Sequence, residues 1–408
     1  MPRPIFLNRF YHPDEPATAQ LLTDLAETLA RRGFEPLVIT GQPRDGRIPR
    51  DETRHGVTIR RVRGSRWRET RLASKAVNFA TFYAAALWRL LFTVRRGDVV
   101  TAMTDPPLLG IGVWLVARIR GARVIHWVQD IYPEIAISLG APTALGALRP
   151  LRNAAWRHAD ACVTLGADMA SVLQAAGVSA PHLHVVRNPA PAGVTRQPWP
   201  SRSARRAEWH LADKFVVQYS GNLGRVHALE PVLDVAAALQ ADREIAFLVV
   251  GDGAQRAMLM RQVQQRGLPN VQFQPAQPRT ALNESLAIGD VHLVTLHSGC
   301  ARYVFPSKLQ GILAVGRPVI YIGPCDGELA RLIREHRLGF AFEPAESAGI
   351  ADTIRRLARD PAESAALSER AADFAAATPD ATAEWAALLG QTGIAPARVP
   401  SLADTGPA

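Results

Sequence analysis

The chain of 408 residues has few cysteines, the side chains that cross-link a fold and that often bind a metal. Its three cysteines, Cys162, Cys300 and Cys325, lie far apart and have no metal-ligand spacing. An odd number of scattered cysteines argues against a disulfide framework and for a reducing compartment. The sequence also contains no Asp-x-Asp in the context of a metal site, so we expect no metal cofactor.

Lysine is scarce as well. Lys75, Lys214 and Lys308 are the only lysines among 47 basic residues, and arginine supplies the rest. The formal net charge of +10 suits an anionic partner, such as a nucleotide sugar, a lipid headgroup or a nucleic acid. No zinc-finger spacing, aromatic RNA-binding strand or basic recognition helix accompanies this charge, so a nucleic acid is not expected.

Long apolar runs are missing too. Residues 1–16 contain no uninterrupted apolar stretch of the kind found in signal peptides, so we expect a cytoplasmic protein. The uncharged run 76–88 is too short to cross a bilayer, which needs about 20 apolar residues. A membrane-spanning helix is therefore not expected.

That run lies within an arginine-rich segment, residues 54–98, that also carries aromatic side chains. These aromatics are Trp67, Phe79, Phe82, Tyr83 and Trp88. Arginines beside aromatics are typical of a helix that lies on an anionic membrane surface. We therefore predict peripheral membrane contact through about residues 60–98. A core helix with a basic rim is the alternative.

Short apolar segments, from Pro4–Asn8 to Gly339–Phe342, alternate with helix-length segments along most of the chain. This alternation predicts parallel sheets with helices on both faces. Residues 188–203, rich in proline and serine, interrupt it and are predicted to link two domains. The predicted parts are two domains at 1–190 and 204–375, a helix at 376–390 and a loose tail at 391–408.

The stretch 304–323 combines a polar turn, a helix-length apolar run and a strand. Pro306, Ser307 and Lys308 form the turn, and Gly316 begins the break that ends the run. Free backbone N–H groups and the helix dipole favour an anion at the start of such a helix. Lys308 can therefore neutralise a phosphate there. An ordinary surface lysine before a core helix is the alternative.

Two glycine-containing turns follow predicted strands in the same half of the chain. Gly221 and Asn222 lead to Arg225 in the first turn, and Gly251 and Gly253 flank an aspartate in the second. Glycine lets the backbone approach a ligand closely, and an arginine can grip a phosphate with two N–H groups. Since α/β sheets bind ligands at the carboxyl ends of strands, these turns predict a phosphate-containing ligand.

These motifs resemble the donor domain of retaining glycosyltransferase family 4. The matching segments are YSGNLGR, VVGDG, PSKL, AVGRPVI and HRLGFAF. The N-terminal half resembles the bacterial exopolysaccharide and O-antigen members through TDPPLLG, VQDIYPEIAISLG and ADACVTLGADM. The resemblance covers roughly residues 5–390. It implies the α/β fold called GT-B, in which two Rossmann-like, doubly wound parallel-sheet domains face each other across a cleft.

The resemblance also implies a nucleoside-diphosphate sugar as donor, whose departing diphosphate needs positive charge. Arg225 and Lys308 match the family's phosphate-binding basic pair, and His227 is an alternative neighbour for the phosphate. With cations supplied by the protein, no metal or other cofactor is expected. The other expected donor-binding residues are Gly221, Asn222, Gly251, Gly253, Pro306, Ser307 and Gln310.

The chain departs from the family at two glutamates of the donor site. Their positions carry Tyr303 and Gly311, and the neighbouring Gln310 is the side chain that can hydrogen-bond a ribose. This departure keeps open a catalytically weak scaffold that binds a sugar nucleotide. A sugar-nucleotide 2-epimerase of the same fold is a further alternative, and it would need no lipid acceptor.

On the acceptor side, Asp130 occupies the region where many relatives carry a histidine that faces the sugar. A carboxylate after a strand can act as a base or orient a hydroxyl, with a helix cap as the alternative. Glu134, Asp14, Glu15 and Asp105 are further acceptor-side candidates. The expected function is metal-independent, retaining sugar transfer to a polyprenyl-diphosphate-linked acceptor, at the cytoplasmic face of the inner membrane, in exopolysaccharide or lipopolysaccharide synthesis.

Overall fold

The structure is a computed structural model that describes residues 2–43, 48–65, 72–201 and 203–396. The chain divides into two compact units. Unit one comprises Met1–Pro189 and Pro379–Ala408, and unit two comprises Ala190–Thr378. All three cysteines are free.

The described part of unit one contains an eight-stranded sheet. Its strands are β1 (Pro4–Leu7), β2 (Leu37–Gly41), β3 (Asp51–Arg54), β4 (Val57–Val62), β5 (Val99–Ala102), β6 (Arg123–Trp127), β7 (Ala161–Thr164) and β8 (Leu183–Val185). The spatial order is β3-β4-β2-β1-β5-β6-β7-β8, and only the β3–β4 pair is antiparallel. Because the strand order runs outward in both directions from β1 and β5, the loops after these two strands flank the switch point of the sheet.

Six helices connect these strands. They are α1 (Ala17–Arg31), α2 (Leu72–Thr93), α3 (Leu109–Arg120), α4 (Glu134–Ser138), α5 (Arg149–Arg157) and α6 (Ala167–Ala175). Helix α1 shows how the sequence places them, since Leu22, Leu25, Ala26 and Leu29 recur at helical spacing and are all buried. The buried stripe attaches the helix to the sheet.

Unit two contains a six-stranded sheet in which every neighbouring pair is parallel. Its strands are β9 (Phe215–Ser220), β10 (Ile245–Val250), β11 (Val271–Gln274), β12 (Val291–Thr295), β13 (Val319–Ile322) and β14 (Gly339–Phe342). The order β11-β10-β9-β12-β13-β14 places the switch point between β9 and β12. Strand β10 reads IAFLVV and is buried throughout, as expected for a parallel sheet covered on both faces.

Eight helices accompany this sheet. They are α7 (Ala204–Glu208), α8 (Glu230–Ala238), α9 (Arg256–Arg266), α10 (Leu282–Ala287), α11 (Lys308–Ala314), α12 (Glu328–Glu335), α13 (Ser347–Arg359) and α14 (Pro361–Ala377). The predicted helix after the polar turn is thus α11, and the predicted strand that follows it is β13. Both predictions are confirmed.

The last helix in the described part of the chain, α15 (Ala381–Gln391), belongs to unit one. Its Trp385 is buried, with ring centroids 4.8 Å from Trp127 and 6.4 Å from Phe6. The tail predicted to be loose begins here, yet Ile394 is buried in the same core cluster. Residues 397–408 of that tail lie outside the described residues.

The predicted linker packs largely onto unit two. Arg317 is fully buried, and its guanidinium donates to the carbonyl oxygens of Gln197 at 3.2 Å and Pro198 at 2.8 Å. The same guanidinium donates to the carbonyl oxygens of Ala287 and Gly289. One buried cation therefore joins the start of unit two to the region of α10.

Strand β3 is a strand that the sequence did not predict. Its four residues, Asp51–Arg54, are polar and alternate between exposed and half-buried positions, so they lack an apolar pattern. It pairs with β4 through a tight turn in which His55 and Gly56 both have positive φ, 46° and 79°. This two-residue turn, rather than hydrophobicity, defines the hairpin.

Candidate functional site

The loops that follow β9 and β10 interlock at the carboxyl edge of the unit-two sheet. The N–H of Gly221 donates to the carbonyl of Val250 at 3.0 Å, and the N–H of Leu223 donates to the carbonyl of Asp252 at 2.8 Å. The N–H of Gln255 donates back to the carbonyl of Leu223 at 3.0 Å. Three backbone hydrogen bonds within the protein thus hold the two loops against each other.

The predicted donor-site glycines make this interlocking possible. Gly251 has φ +143°, and a Cβ there would lie 2.0 Å from the carbonyl oxygen of Gly221. Gly253 has φ +151°, and a Cβ there would lie 2.6 Å from Oδ1 of Asn222. Both positions combine a backbone conformation that other residues rarely adopt with a lack of space. In this structure their immediate role is loop-to-loop packing.

Lys308 begins α11 and reaches the loop after β9. Its Nζ donates to the hydroxyl of Tyr219 at 2.5 Å and lies 3.8 Å from the centroid of that ring. The Tyr219 hydroxyl in turn donates to the carbonyl of Asn222 at 2.9 Å. A Cβ on Gly221 would lie 3.4 Å from Nζ. The ammonium therefore sits against the glycine turn at the switch point of the sheet.

Burial lowers the pKa of Lys308 to about 7. Desolvation disfavours the charged form of an amine, and burial is the cause of this shift. A bound anion would reverse the effect, because an opposite charge within 4 to 6 Å favours the ammonium. The site is thus chemically suited to take up an anion together with a proton.

Arg225 lines a neighbouring pocket of about 400 Å³, together with His227, Gln255 and His297. His227 is buried, and its Nδ1 lies 2.7 Å from the carbonyl oxygen of Thr295. Burial first, and then the charge of Lys308, lower the pKa of His227 to about 3. His227 is therefore a neutral side chain located near Lys308, two residues after Arg225.

The other predicted donor residues surround the start of α11. Ser307 precedes the helix, and the carbonyl of Pro306 accepts the N–H of Leu309 at 3.1 Å. Gln310 is buried on the helix itself. At Gly311, one of the two positions where the family's glutamates are absent, a Cβ would lie 3.2 Å from Leu286 Cδ1 and 3.4 Å from Pro191 Cδ. A side chain at that position would therefore require Leu286 to shift by a few tenths of an ångström.

In unit one, Asp130 follows β6 and lines a small pocket of about 30 Å³. Its backbone N–H donates to Oγ1 of Thr104 at 3.2 Å. Burial first, and then the charge of Asp105, raise the pKa of Asp130 to about 7. The structure thus brings together two predicted acceptor-side carboxylates, from the loops after β5 and β6. A carboxyl group with this pKa can accept a proton near neutral pH.

His126 lines the same pocket from inside β6 and was not singled out by the sequence. It is buried, its pKa is lowered to about 4 by burial, and its Nε2 has no hydrogen-bond partner in the described part of the chain. A Cβ on Gly110 would lie 2.4 Å from its Nδ1. The sequence could not indicate the buried environment of His126, because that environment depends on helix α3, which packs against the strand.

Glu134 is engaged in an ion-pair cluster. Its two carboxylate oxygens lie 3.0 Å from Nε of Arg149 and 2.5 Å from Nη1 of Arg152. Arg152 also donates to the carbonyl of Tyr132 at 2.7 Å and stacks 4.1 Å from the ring centroid of Trp156. This cluster holds the Asp130 loop against α5. Sequence reasoning missed Arg152, which lies 18 residues from Glu134.

Asp14 and Glu15 lie on the loop after β1, which flanks the switch point of unit one. The Asp14 Oδ2 accepts the N–H of Tyr11 at 3.4 Å, and the Asp14 N–H donates to the carbonyl of Tyr11 at 2.9 Å. Glu15 is exposed, and its carbonyl accepts Nε2 of Gln20 at 2.7 Å. Asp14 thus closes a turn, whereas the carboxylate of Glu15 faces solvent.

The aromatic side chains of the basic segment differ in exposure. Phe82 is buried, and Tyr83 donates its hydroxyl to the carbonyl of Pro107. Trp88 is 67% exposed. Trp67 lies outside the described residues. None of the described helices has both the length and the hydropathy needed to span a bilayer.

Within residues 2–43, 48–65, 72–201 and 203–396, no three His, Cys, Asp or Glu side chains form a group that could hold a metal ion. The expectation of a metal-free site remains a prediction.

Two family models match the chain, one for each unit. "Glycosyl transferase 4-like domain" matches residues 18–189, and "Glycosyl transferases group 1" matches residues 201–374. The chain belongs to the GT4-type glycosyltransferases. Within this family, the WcaI protein of Escherichia coli K12, named as a colanic acid biosynthesis glycosyl transferase, is 29% identical over 79% of this chain and 83% of its own length.

Solved structures support the GT-B fold of this glycosyltransferase. Sucrose-phosphate synthase from Thermosynechococcus elongatus has a TM-score of 0.78 and 18% identity, covering 95% of this chain and 98% of that one. Anabaena HepE in complex with UDP-glucose has a TM-score of 0.73 and 17% identity, with the same coverage of 95% and 98%. The predicted fold class, with two Rossmann-like parallel-sheet domains, is confirmed.

Proposed function

We propose that this glycosyltransferase moves a sugar from a nucleoside diphosphate onto a lipid-linked saccharide acceptor during synthesis of a bacterial surface polysaccharide. The name of WcaI, in colanic acid biosynthesis, supports the process, and the UDP-glucose complex of HepE supports the donor class. The observation that carries the proposal is Lys308. Its Nζ contacts the Tyr219 hydroxyl and lies against the Gly221 turn, at the edge of the sheet where doubly wound folds bind ligands.

In this proposal Lys308 and Arg225 hold the donor diphosphate. As the bond between the sugar C1 and the diphosphate oxygen breaks, negative charge grows on the leaving group, and cations fixed nearby stabilise it. A contact of this kind contributes on the order of 3 kcal/mol, or about 100-fold in rate. With both cations supplied by side chains, we propose that the reaction needs no metal ion. Gln310, buried on α11, is proposed to face the ribose.

On the acceptor side, we propose that Asp130 orients the attacking hydroxyl and accepts its proton. The acceptor oxygen forms a bond with C1, the C1–phosphate bond breaks, and the hydroxyl proton passes to the carboxylate. Because the pKa of Asp130 is raised to about 7, the group can accept this proton at neutral pH and release it again. Transfer with retention of the anomeric configuration is proposed from membership of the family.

The acceptor is proposed to be a polyprenyl-diphosphate-linked saccharide at the cytoplasmic face of the inner membrane, with the enzyme bound peripherally. The basic surface charge supports this, since the chain carries a formal net charge of +10. An anionic lipid surface and an anionic lipid carrier both favour such a protein.

The test uses the full chain with UDP-, GDP- and dTDP-sugars, with and without a polyprenyl-diphosphate-linked saccharide. We expect acceptor-dependent release of a nucleoside diphosphate, unchanged in excess chelator. Lys308→Met and Arg225→Met should each lose about 100-fold in turnover, while Lys214→Met, a change at a lysine that donates to the carbonyl of Arg243, should not. NMR of the product gives the anomeric configuration.

Three outcomes would contradict the proposal. Donor binding without turnover for any acceptor would indicate a scaffold. Conversion of the sugar nucleotide itself, with no acceptor present, would indicate an epimerase. A loss of activity in chelator that magnesium restores would show that a metal supplies the charge assigned to Lys308 and Arg225.

A further inference from the structure

The exposed surface of α2 is apolar along the length that the structure describes in full. The exposed positions of this helix fall at a spacing of four residues and read Ala76, Ala80, Ala84, Trp88 and Phe92. Trp88 is 67% exposed and Phe92 is 68% exposed. A surface helix normally presents polar side chains to water. Here the outward stripe is as apolar as the inward one.

Helix α3 continues the same surface. It packs closely on α2, since a Cβ at Gly112 would lie 2.4 Å from Cδ1 of Leu87. Its outward positions include Leu115, which is 45% exposed, and Ile119, which is 75% exposed. Two adjacent helices therefore expose two large apolar side chains each.

A third element extends the surface beyond α3. Trp114 of α3 stacks on His158, which ends α5, at a centroid distance of 6.1 Å. The turn before α5 is a 3-10 helix over Thr143–Leu148, with no buried residue. Residues 142–151 read PTALGALRPL, and their three large apolar side chains are exposed. These are Leu145, Leu148 and Leu151.

We name these seven side chains on α2, α3 and the α5 region the three-helix face. Nine large apolar side chains are exposed in the described part of the chain, and seven of them lie here. Single exposed apolar residues are ordinary, but a contiguous group marks an interaction surface. The concentration on three packed neighbours therefore indicates an interaction surface.

The charge around the three-helix face identifies the partner. No aspartate or glutamate occurs in residues 72–97, 106–129 or 135–159, although Asp51 and Glu134 from neighbouring elements pair with Arg89 and Arg149. Exposed arginines are present at the ends of the three helices, at Arg95, Arg96, Arg118, Arg120, Arg149 and Arg157. A second copy of the chain would set arginines against arginines across a two-fold axis. An anionic phospholipid surface matches both the apolar centre and the cationic ends.

We propose that the three-helix face inserts into an anionic phospholipid bilayer, with its large apolar side chains below the headgroups. The proposed insertion rests on the proposed lipid-linked acceptor. It extends the membrane-docking surface from α2 to α3 and residues 142–151. Insertion differs from electrostatic adsorption in its response to salt. Attraction between arginines and headgroups is screened at about 1 M salt, where the Debye length is about 3 Å, whereas apolar burial is not.

The experiment measures binding of the full chain to vesicles of phosphatidylglycerol and phosphatidylethanolamine in equal amounts, without donor or acceptor. We expect binding that weakens as salt rises but persists at about 1 M. The double variant Trp88→Ser/Ile119→Ser should bind about 100-fold more weakly, because two large apolar groups no longer enter the bilayer. Val185→Ser, an exposed apolar residue of the same unit outside the face, is the matched control.

Three results would overturn the inference: complete release of the wild-type chain by salt, unchanged binding of the double variant, or lipid-free dimers that the double variant abolishes. The readout is separate from catalysis. If vesicle binding follows the expectation but no sugar is transferred to any lipid-linked acceptor, the inference stands and the proposed function fails. If a water-soluble acceptor is glycosylated by a chain that does not bind vesicles, the inference fails and sugar transfer stands.

Discussion

If Lys308 receives the donor diphosphate, nucleotide binding must draw a proton from solution. With a pKa of about 7, the free side chain is about half protonated at pH 7 and about one-tenth protonated at pH 8. One negative charge about 4 Å from Nζ, at an effective dielectric constant of about 20, contributes about 4 kcal/mol, which raises the pKa by about 3 units. Binding should therefore take up about 0.9 proton at pH 8 and about 0.5 proton at pH 7.

The sign of the pH dependence follows from the same scheme. The ligand binds the ammonium form, and that form becomes rarer as the pH rises above 7. Affinity for a nucleotide sugar should fall about tenfold between pH 8 and pH 9. The phosphates of a nucleotide sugar do not titrate in this range, because neither carries a terminal ionisable hydroxyl. His227, whose pKa is lowered to about 3, stays neutral throughout and does not contribute.

Isothermal titration calorimetry at pH 8, in buffers that differ in ionisation enthalpy, measures this proton directly. Lys308→Met should reduce the uptake to near zero, and Lys214→Met should leave it unchanged. Tight wild-type binding with no uptake at pH 8, or equal uptake by Lys308→Met, would refute the assignment of Lys308 as the phosphate ligand.

Other predictions concern pH, loop packing and stability. With Asp130 as base, kcat/KM for the acceptor, measured with the donor saturating, should rise with pH to a plateau above about 7; Asp130→Asn should abolish this rise, and Asp105→Asn should move it to lower pH by removing the charge that raises the pKa of Asp130. Gly251→Ala should lose donor binding in calorimetry, because its Cβ meets backbone, whereas Gly193→Ala, with positive φ but nothing within 4 Å, should bind normally. Arg317→Met should lower the free energy of unfolding by about 3 kcal/mol or more in urea titrations, because buried carbonyls lose their donor; a change below about 0.5 kcal/mol, typical of surface sites, would contradict its role.

Most of the fold could be predicted because apolar segments alternate regularly with turns that contain glycine or proline. Strand Ile245–Val250 is apolar over its whole length, strand Phe215–Ser220 is apolar over most of it, and both have the predicted bounds. Strand β3 could not be predicted from this pattern, since its polar residues pair along one edge of the sheet. Of the three-helix face, the sequence indicated only the part on α2, where Trp88 is exposed but Phe82, which was named with it, is buried. Apolar residues at helical spacing normally indicate a core, and only the packing shows that residues 142–151 remain outside it.

The same distinction between local sequence patterns and long-range packing applies to the candidate site. Lys308 and the nearby glycine turns could be recognised from the local sequence. The lowered pKa of Lys308 could not, because it depends on burial beside residues such as Tyr219, which lies 89 positions away. The engagement of Glu134 by Arg152 likewise depends on a long-range contact. Sequence patterns indicate which residue types lie at a sheet edge. Only the fold shows which of their polar groups already form hydrogen bonds or ion pairs within the protein.

The attachment of the predicted linker to Arg317 also determines where unit two can be separated for study. A fragment that begins at residue 204 would keep β9 to β14, but it would remove the carbonyl oxygens of Gln197 and Pro198 from a fully buried guanidinium. The backbone bond from Gln197 to the carbonyl of Val315, at the end of α11, would be lost with them. A fragment spanning residues 190–378 retains all of these contacts. A fragment of unit two for nucleotide-binding experiments should therefore begin at Ala190, where the polypeptide enters the unit.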